Sequence, residues 1–235
     1  MDKLIKNLKR RKEVNEGATN SYKKAAETGW FVSGQLGFSS FNRLIFFMAQ
    51  STDIDKVFID IYSSEIIDLC KMISSDYPRR EKMLSECLLA HNSGMYYLST
   101  MGFLSLADGL FHDSFKCSIF QRAPYIKMAK ESICQLKKDK DRVSNVFNDY
   151  FIIHDMYFNA LSVLEDKLCI AYSQGMRDGQ LEYLSSINRH VIVHGEDTEY
   201  GTRVNSLKSF SFLCFLYDLI DILRRYSTSG DGVDK

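Results

Sequence analysis

Apolar residues recur at helical spacing along most of this chain. The longest run extends from Val143 to Ala171, where hydrophobic residues hold one face for about eight turns and asparagines, serines and charged residues occupy the other. This pattern predicts a long amphipathic helix. Residues 203–225 are apolar almost all round, so we expect a helix there that is largely buried.

Further helices are predicted between breaks marked by glycine, proline and capping residues. Gly94 and Gly102 indicate a kink or a close helix contact, and Thr202 or Asn205 can cap the last helix. These additional helices cover residues 2–26, about 41–48, 54–74, 79–109, 124–136 and 180–187.

One segment, residues 29–37, is dense in both glycine and aromatic residues. We expect a loop whose Trp30 and Phe31 pack onto the helices, ending where Ser39 or Ser40 caps the next helix.

The composition supports an all-α fold, because 13 glycines and only two prolines in 235 residues disfavour a sandwich of many short strands. The length suits one large domain or two small ones. We expect a helical N-terminal region over residues 1–110, which could pack on the same core, a helical bundle over residues 111–226 and a disordered tail over residues 227–235.

The formal net charge is zero, so no overall field attracts nucleic acid, although a local basic patch remains open. The N-terminus lacks the apolar stretch of a signal peptide. The segment from Phe210 to Leu223 is interrupted by Asp218 and Asp221 and is too short to span a bilayer. We therefore expect a cytoplasmic protein that does not enter the membrane.

The cysteines contain no CxxC pair, and each lies in an apolar periodic context. This pattern is typical of small buried hydrophobic residues in a reducing compartment rather than of disulfides. The six are Cys70, Cys87, Cys117, Cys134, Cys169 and Cys214.

Candidate chemistry concentrates in residues 188–195, where one arginine and two histidines surround three β-branched apolar residues. A purely structural interpretation has Val191, Ile192 and Val193 packing inward while Arg189 and His194 decorate the surface. On composition alone that interpretation is favoured.

A metal site is a second interpretation, since His190 and His194 are four residues apart and share a helical face. A zinc protease would also need glutamate directly after the first histidine, where this chain has Val191. Glu196 and Asp197 are the nearest candidates for a third ligand.

Metal-free cleavage of RNA is the third interpretation. RNA supplies the 2′-OH nucleophile, and the protein must supply a base, an acid and a cation for the charge that develops on the phosphate. His194 suits either proton-transfer role, and Arg189 can grip two phosphate oxygens. Residues five apart on a helix point about 140° apart, which favours a homodimer with a composite site.

The run Arg189-His190-Val191-Ile192-Val193-His194 resembles the Arg-x(4–6)-His signature of HEPN domains. The flanking Asn-Arg, His-Gly and Tyr-Gly-Thr residues resemble the C-terminal end of HEPN-like proteins from bacterial abortive-infection and toxin systems, over about residues 140–225. Gly29-Trp30-Phe31 is similar to an N-terminal feature of some of them.

This resemblance implies a helical bundle of HEPN type with an additional helical N-terminal region, and a homodimer with the motif at its interface. It implies a metal-independent endoribonuclease that leaves a 2′,3′-cyclic phosphate and uses no cofactor. Arg189 and His194 would be the catalytic pair, with His190 as a polar supporter and Asn188 and Tyr200 as further supporting residues.

We accordingly expect a toxin or phage-defence effector that cuts cellular RNA, paired with an antitoxin or regulatory protein. Some members of the family are inactive, so the alternative is a non-catalytic module that binds RNA, a nucleotide or a partner enzyme.

Overall fold

Every regular element of the described chain is helical and none is a strand, so the predicted all-α class is confirmed. The structure is a computed structural model that describes residues 2–50, 53–120, 127, 129–131, 134, 148–166 and 187–227. The α-helices in this part of the chain are α1 (Asp2–Glu27), α2 (Phe38–Gln50), α3 (Ile54–Asp76), α4 (Glu81–Asn92), α5 (Tyr96–Phe115), α6 (Asn148–Asp166), α7 (Arg189–Val193) and α8 (Arg203–Ser227), with a 3₁₀ turn at Pro78–Arg80 before α4.

Helix α8 is largely buried, as its apolar sequence predicts, and α5 packs along its length. The two helices run in the same direction. Near their beginnings the Phe103 and Phe210 ring centroids are 5.1 Å apart, and near their ends Arg224 Nη2 donates to Ser114 Oγ at 2.9 Å. This parallel pair forms the centre of the bundle.

Helix α1 packs against both α2 and α6. The apolar face predicted for the long helix is confirmed where it is described, since Tyr157, Leu161 and Leu164 are buried. Regular spacing of hydrophobic residues thus orients α6 correctly from sequence alone.

Residues 29–36, which we call the Trp30 loop, connect α1 to α2 through the interior of the bundle. The Trp30 ring stacks on Phe58 with centroids 5.0 Å apart, and Phe31 packs against Phe212 and Phe215 at 5.0 and 5.3 Å. Residues on both sides of position 110 therefore contribute to one hydrophobic core, while a domain boundary at residue 110 stays a prediction.

Side chains from several helices satisfy the backbone N–H groups of the Trp30 loop. The donor and acceptor pairs are Phe31 to Ser211 Oγ (3.2 Å), Val32 to Tyr22 Oη (3.1 Å), Ser33 to Tyr62 Oη (3.1 Å) and Gly34 to Asp218 Oδ2 (2.9 Å). Each of these amides, if buried without an acceptor, would cost about 1–3 kcal/mol. An irregular segment can lie inside the bundle because α1, α3 and α8 replace the bonds that a helix would make internally.

Asp218 is the main acceptor in this network. Its Oδ2 accepts from Ser33 Oγ at 2.7 Å, from the Gly34 N–H and from the Tyr157 hydroxyl. Burial raises the pKa of the Asp218 carboxyl above its usual range, although these hydrogen bonds act in the opposite direction. Burial, together with the nearby carboxyl, also raises the pKa of Tyr157.

The predicted cap at Ser39 or Ser40 is wrong, because α2 already begins at Phe38 and both serines lie in its first turn. The N–H of Phe41 donates to the carbonyl of Gly37 at 2.8 Å. Ser40 is buried facing α3 and donates to the Glu65 carboxylate, so tertiary packing uses the hydroxyl that local reasoning assigned to a cap.

The segment predicted as a helix over residues 79–109 is two helices. Helix α4 ends at Asn92, and Gly94 has a φ of +74°, a conformation that breaks the helix before α5 begins. The close contact predicted at Gly102 is confirmed, because a Cβ there would overlap the Cys87 Sγ of α4.

The burial prediction for cysteines is confirmed for Cys70, Cys87 and Cys214, is confirmed in part for Cys117, which is partly buried against the core, and is wrong for Cys134. Cys169 lies outside the described residues. Burial raises the pKa of Cys70 to about 12 and that of Cys87 to about 11, which keeps both thiols protonated and unreactive. Cys117 lies just beyond the end of α5. Cys134 is exposed.

Several predictions fall largely on residues outside the described ranges. These are the helices over residues 124–136 and 180–187, both ends of the helix predicted from Val143 to Ala171, and the tail over residues 227–235. None of the described helices combines the length and the hydropathy that crossing a membrane requires.

Candidate functional site

The motif residues form α7, a helix of five residues that begins with a side-chain cap. Asn188 has an extended backbone, and its Oδ1 accepts the N–H of His190 at 3.0 Å. Ile187 and Asn188 are buried, so the chain enters α7 from inside the bundle. Asn188, expected as a supporting residue, is thus the N-cap that fixes where the helix starts.

A glycine cap ends α7. Gly195 has a φ of +69°, and its N–H donates to the carbonyl of Ile192 at 3.2 Å. The N–H of Glu196 donates to the carbonyl of Val191 at 2.9 Å, which completes a Schellman motif. His194 is therefore the C-cap residue, where the backbone changes direction, and not part of the helix.

The three apolar residues of the motif do not all point inward. Val191 and Ile192 are buried, but Val193 is 49% exposed, so the structural interpretation was wrong for that residue. Successive helical residues are about 100° apart, and three in a row do not share one face.

The three cationic or titratable side chains of the motif lie at least partly on the surface. The Arg189 guanidinium lies over the Phe120 ring, with Cζ 5.0 Å from the centroid. The imidazoles of His190 and His194 are neighbours, with centroids 4.4 Å apart. Within the described residues, no hydrogen bond or ring contact joins Arg189 to His194. A single chain thus presents one guanidinium and two neighbouring imidazoles on the outer side of one short helix.

Tyr200 belongs to the return from α7 into α8. Its ring is buried and meets the ring of Tyr97 edge-on, with centroids 4.9 Å apart. Burial is the main cause of its raised pKa. The N-cap prediction for Thr202 is confirmed, because its Oγ1 accepts the N–H of Asn205 at 3.1 Å. Tyr200 therefore supports the loop after the motif through packing.

Sequence reasoning missed His91, a buried histidine at the end of α4. Its Nδ1 lies 2.8 Å from Ser206 Oγ, which in turn lies 2.7 Å from Ser99 Oγ. Burial, and secondarily the charge of Arg203, lowers the pKa of His91. Its spacing of seven residues from Leu84 on the core face of α4 was the available signal.

Metal-ligand geometry is absent from the part of the chain that the structure describes. No group of three His, Cys, Asp or Glu side chains there is arranged to hold a metal ion. His190 and His194 form a pair, and neither Glu196 nor Asp197 joins them in such a group.

Helix α7 packs against α5, and four apolar residues between the end of α4 and the second turn of α5 are exposed. We call this surface the α5 patch, and it includes the end of α4. Its members, between 41% and 64% exposed, are Leu89, Met95, Leu98 and Met101. Isolated exposed apolar residues are ordinary, whereas a group on adjoining turns is typical of a binding surface.

Comparison of the chain with protein-family models, with curated proteins and with solved structures finds no match. The resemblance to HEPN domains therefore depends on the residues of the motif and its flanks.

Proposed function

We propose that the protein is a metal-independent endoribonuclease that cuts RNA through attack of the 2′-OH on the neighbouring phosphate, leaving a 2′,3′-cyclic phosphate. The observation that carries the proposal is the placement of Arg189 and His194 at the two ends of one short, doubly capped surface helix. The His194 side chain is exposed, so its imidazole has room to exchange a proton with RNA.

The chemistry divides between the two residues. The 2′-OH must lose a proton, the 5′-oxygen must gain one, and negative charge grows on the non-bridging phosphate oxygens. The Arg189 guanidinium would neutralise that charge through paired hydrogen bonds once it leaves the Phe120 ring. His194 would accept the proton of the 2′-OH or donate a proton to the 5′-oxygen. The adjacent His190 would orient the His194 ring.

A homodimer is the second part of the proposal. One chain offers Arg189 and His194 without direct contact, and two chains related by a twofold axis would bring two of each residue together. The α5 patch supports this arrangement, because it exposes apolar side chains on the helix that α7 packs against. The role as a toxin or phage-defence effector, acting in the cytoplasm and restrained by a partner protein, follows from the motif resemblance alone.

The direct test is incubation of purified protein with total RNA, with and without EDTA, followed by mapping of the RNA ends. We expect cleavage that EDTA does not inhibit and that leaves cyclic phosphate ends. Arg189→Ala and His194→Ala should each abolish it, while Arg79→Ala and His112→Ala, which alter exposed residues of the same types outside the motif, should not. Full activity in both motif variants would refute the site.

A non-catalytic binding module is the second candidate. The observation in its favour is the contact of Arg189 with Phe120, which keeps the guanidinium of a single chain on an aromatic ring. This candidate predicts that RNA or a nucleotide binds to the wild type, that binding weakens in Arg189→Ala, and that no RNA is cut under any condition. A strict monomer by light scattering would also favour it over the composite site.

A further inference from the structure

Tyr97, in the first turn of α5, makes three contacts with the chain that follows the motif. Its hydroxyl donates to the carbonyl of Thr198 at 2.7 Å. Its ring meets the Tyr200 ring edge-on, and the Gly201 backbone approaches the same ring so closely that a Cβ at Gly201 would overlap it. One side chain thus holds three of the residues that lead from α7 to α8.

The loop that Tyr97 holds follows His194 by only a few residues. From His194 the chain passes through Gly195, and the N–H groups of Glu196 and Asp197 both donate to the carbonyl of Val191. The His194 side chain is exposed, and its ring contact is with His190, a residue of α7. Packing around the ring therefore constrains it little, so the position of the imidazole depends mainly on the backbone that carries it.

Tyr97 can restrict the movement of this loop because it belongs to a helix that is held in place by the centre of the bundle. It lies two residues from Ser99, whose hydroxyl contacts Ser206 of α8, so its helix is tied to the centre of the bundle. The Tyr97 side chain is itself 48% exposed, which means that the hydrophobic core does not depend on burying it. Its contacts therefore stabilise the loop after the motif rather than the core.

We propose that Tyr97 is a positioning residue that holds the loop after the motif and thereby keeps the His194 imidazole in one orientation. The consequence for RNA cleavage rests on the proposed function, whereas the effect on His194 itself does not. A reacting group displaced by about 1 Å can lose about a hundredfold in rate, so a residue that never touches RNA can still control the reaction.

The test uses Tyr97→Phe, which keeps the ring and removes the bond to Thr198. We expect the NMR signal of the His194 imidazole to shift and the amides of residues 197–202 to exchange faster, by about tenfold. We also expect RNA cleavage at saturating substrate to fall by about tenfold while the half-saturating RNA concentration stays the same. Gly201→Ala should produce the same changes with the hydroxyl present, since the added Cβ displaces the ring.

Tyr217→Phe is the matched control, because it also removes one tyrosine hydrogen bond, to Asp76, and lies far along α8 from the motif. It should leave the His194 signal and the loop amides unchanged. An unchanged His194 signal in both Tyr97→Phe and Gly201→Ala would overturn the proposal, even if cleavage fell. If the wild type cuts no RNA, the NMR and exchange measurements still decide the role of Tyr97, so failure of the proposed function is recognised separately.

Discussion

The Trp30 loop and the segment from Asn188 to Thr202 begin alike and end in opposite environments. Each contains a glycine with positive φ that closes a helix through a Schellman motif, Gly29 after α1 and Gly195 after α7. The Trp30 loop then runs into the core, where side chains of other helices accept its backbone hydrogen bonds. The motif segment runs along the surface, and caps formed by its own residues define its helix.

Because one segment is buried and the other lies on the surface, we expect the first to contribute to stability and the second to binding. Polar groups of the Trp30 loop are occupied in holding the fold, so changes there should act on stability. The outward side chains of the motif, Arg189 and His194, take no part in the caps that shape α7. Changes to them should leave the fold intact and act on whatever the motif binds.

Loss of the His194 imidazole should show the largest effect on activity. His194→Ala should lower the RNA cleavage rate by about 10²–10⁴-fold, since it removes the proposed proton-transfer group. The side chain is exposed, so the melting temperature should stay within about 2 °C of the wild type. Cleavage rates on a defined RNA test the expected loss of activity, and thermal melts test the expected unchanged stability. A large loss of stability in His194→Ala would contradict the view that the motif side chains do not hold the fold.

Loss of the Asp218 carboxylate should show the largest effect on stability. Asp218→Ala leaves the Ser33 hydroxyl, the Gly34 amide and the Tyr157 hydroxyl without this acceptor, so we expect a cost of about 2–4 kcal/mol. For a chain of this size that lowers the melting temperature by about 5–15 °C. Asp68→Ala, which breaks an exposed ion pair with Lys71, is the control and should change stability little.

The same carboxylate should make stability depend on pH. Because burial raises the pKa of Asp218 in the folded state, the fold binds this proton more tightly than the unfolded chain does. The stability that this proton contributes is fully present below the ordinary aspartate pKa, and it is lost as pH rises through the pKa of Asp218 in the folded protein. Asp218→Asn should remove that component, so the difference between wild-type and variant unfolding free energies should change with pH across that window. A constant difference would contradict it.

Gly195 and Gly17 offer a smaller, matched comparison. Gly195→Ala should cost about 1–2 kcal/mol through the left-handed backbone alone, because a Cβ there would meet no atom within 4 Å. Gly17 lies within α1, and a Cβ there would touch Ala49 at an ordinary 3.5 Å. Gly17→Ala should therefore be neutral or stabilise by up to about 1 kcal/mol. Chemical denaturation measures both, and equal effects would argue against the glycine cap of α7.

The smallest expected effect is the change in pH dependence on replacing His91, and it should appear only in acid. The folded pKa of His91 is lowered, so its contribution to stability is complete above the ordinary histidine pKa and is lost as pH falls through the folded value. His91→Gln should weaken the decline in stability below about pH 6.5. Thermal melts of both proteins from neutral to mildly acidic pH provide the check, and parallel curves would show that His91 does not titrate in the fold.

Much of the secondary structure could be predicted, because helix position and burial depend on residues close in sequence. The spacing around Tyr157 and Leu161 orients α6, and the apolar sequence of α8 predicts its central place. Local reasoning failed where a distant partner intervened. Ser40 was expected to cap α2, but it packs against α3 and donates to Glu65.

In the candidate site, too, some features depend on neighbouring residues and could be predicted, while others depend on residues far apart in the sequence. Asn188 and Gly195 flank the motif in the sequence, and the caps they form determine the length of α7 locally. Tyr97 and His91 lie about a hundred residues before the groups they contact, Thr198 and Ser206, and no local pattern identifies such pairs.

Sequence by itself determined that this chain is helical, where most helices run, and which arginine and histidines gather within one short segment. Those features follow from periodicity and from neighbours along the chain. Only the tertiary structure decided that the Trp30 loop is buried around Asp218 and that Arg189 rests on Phe120 while His194 stays exposed. The physical reason is that a buried polar group or an aromatic contact needs partners whose approach depends on how the helices pack.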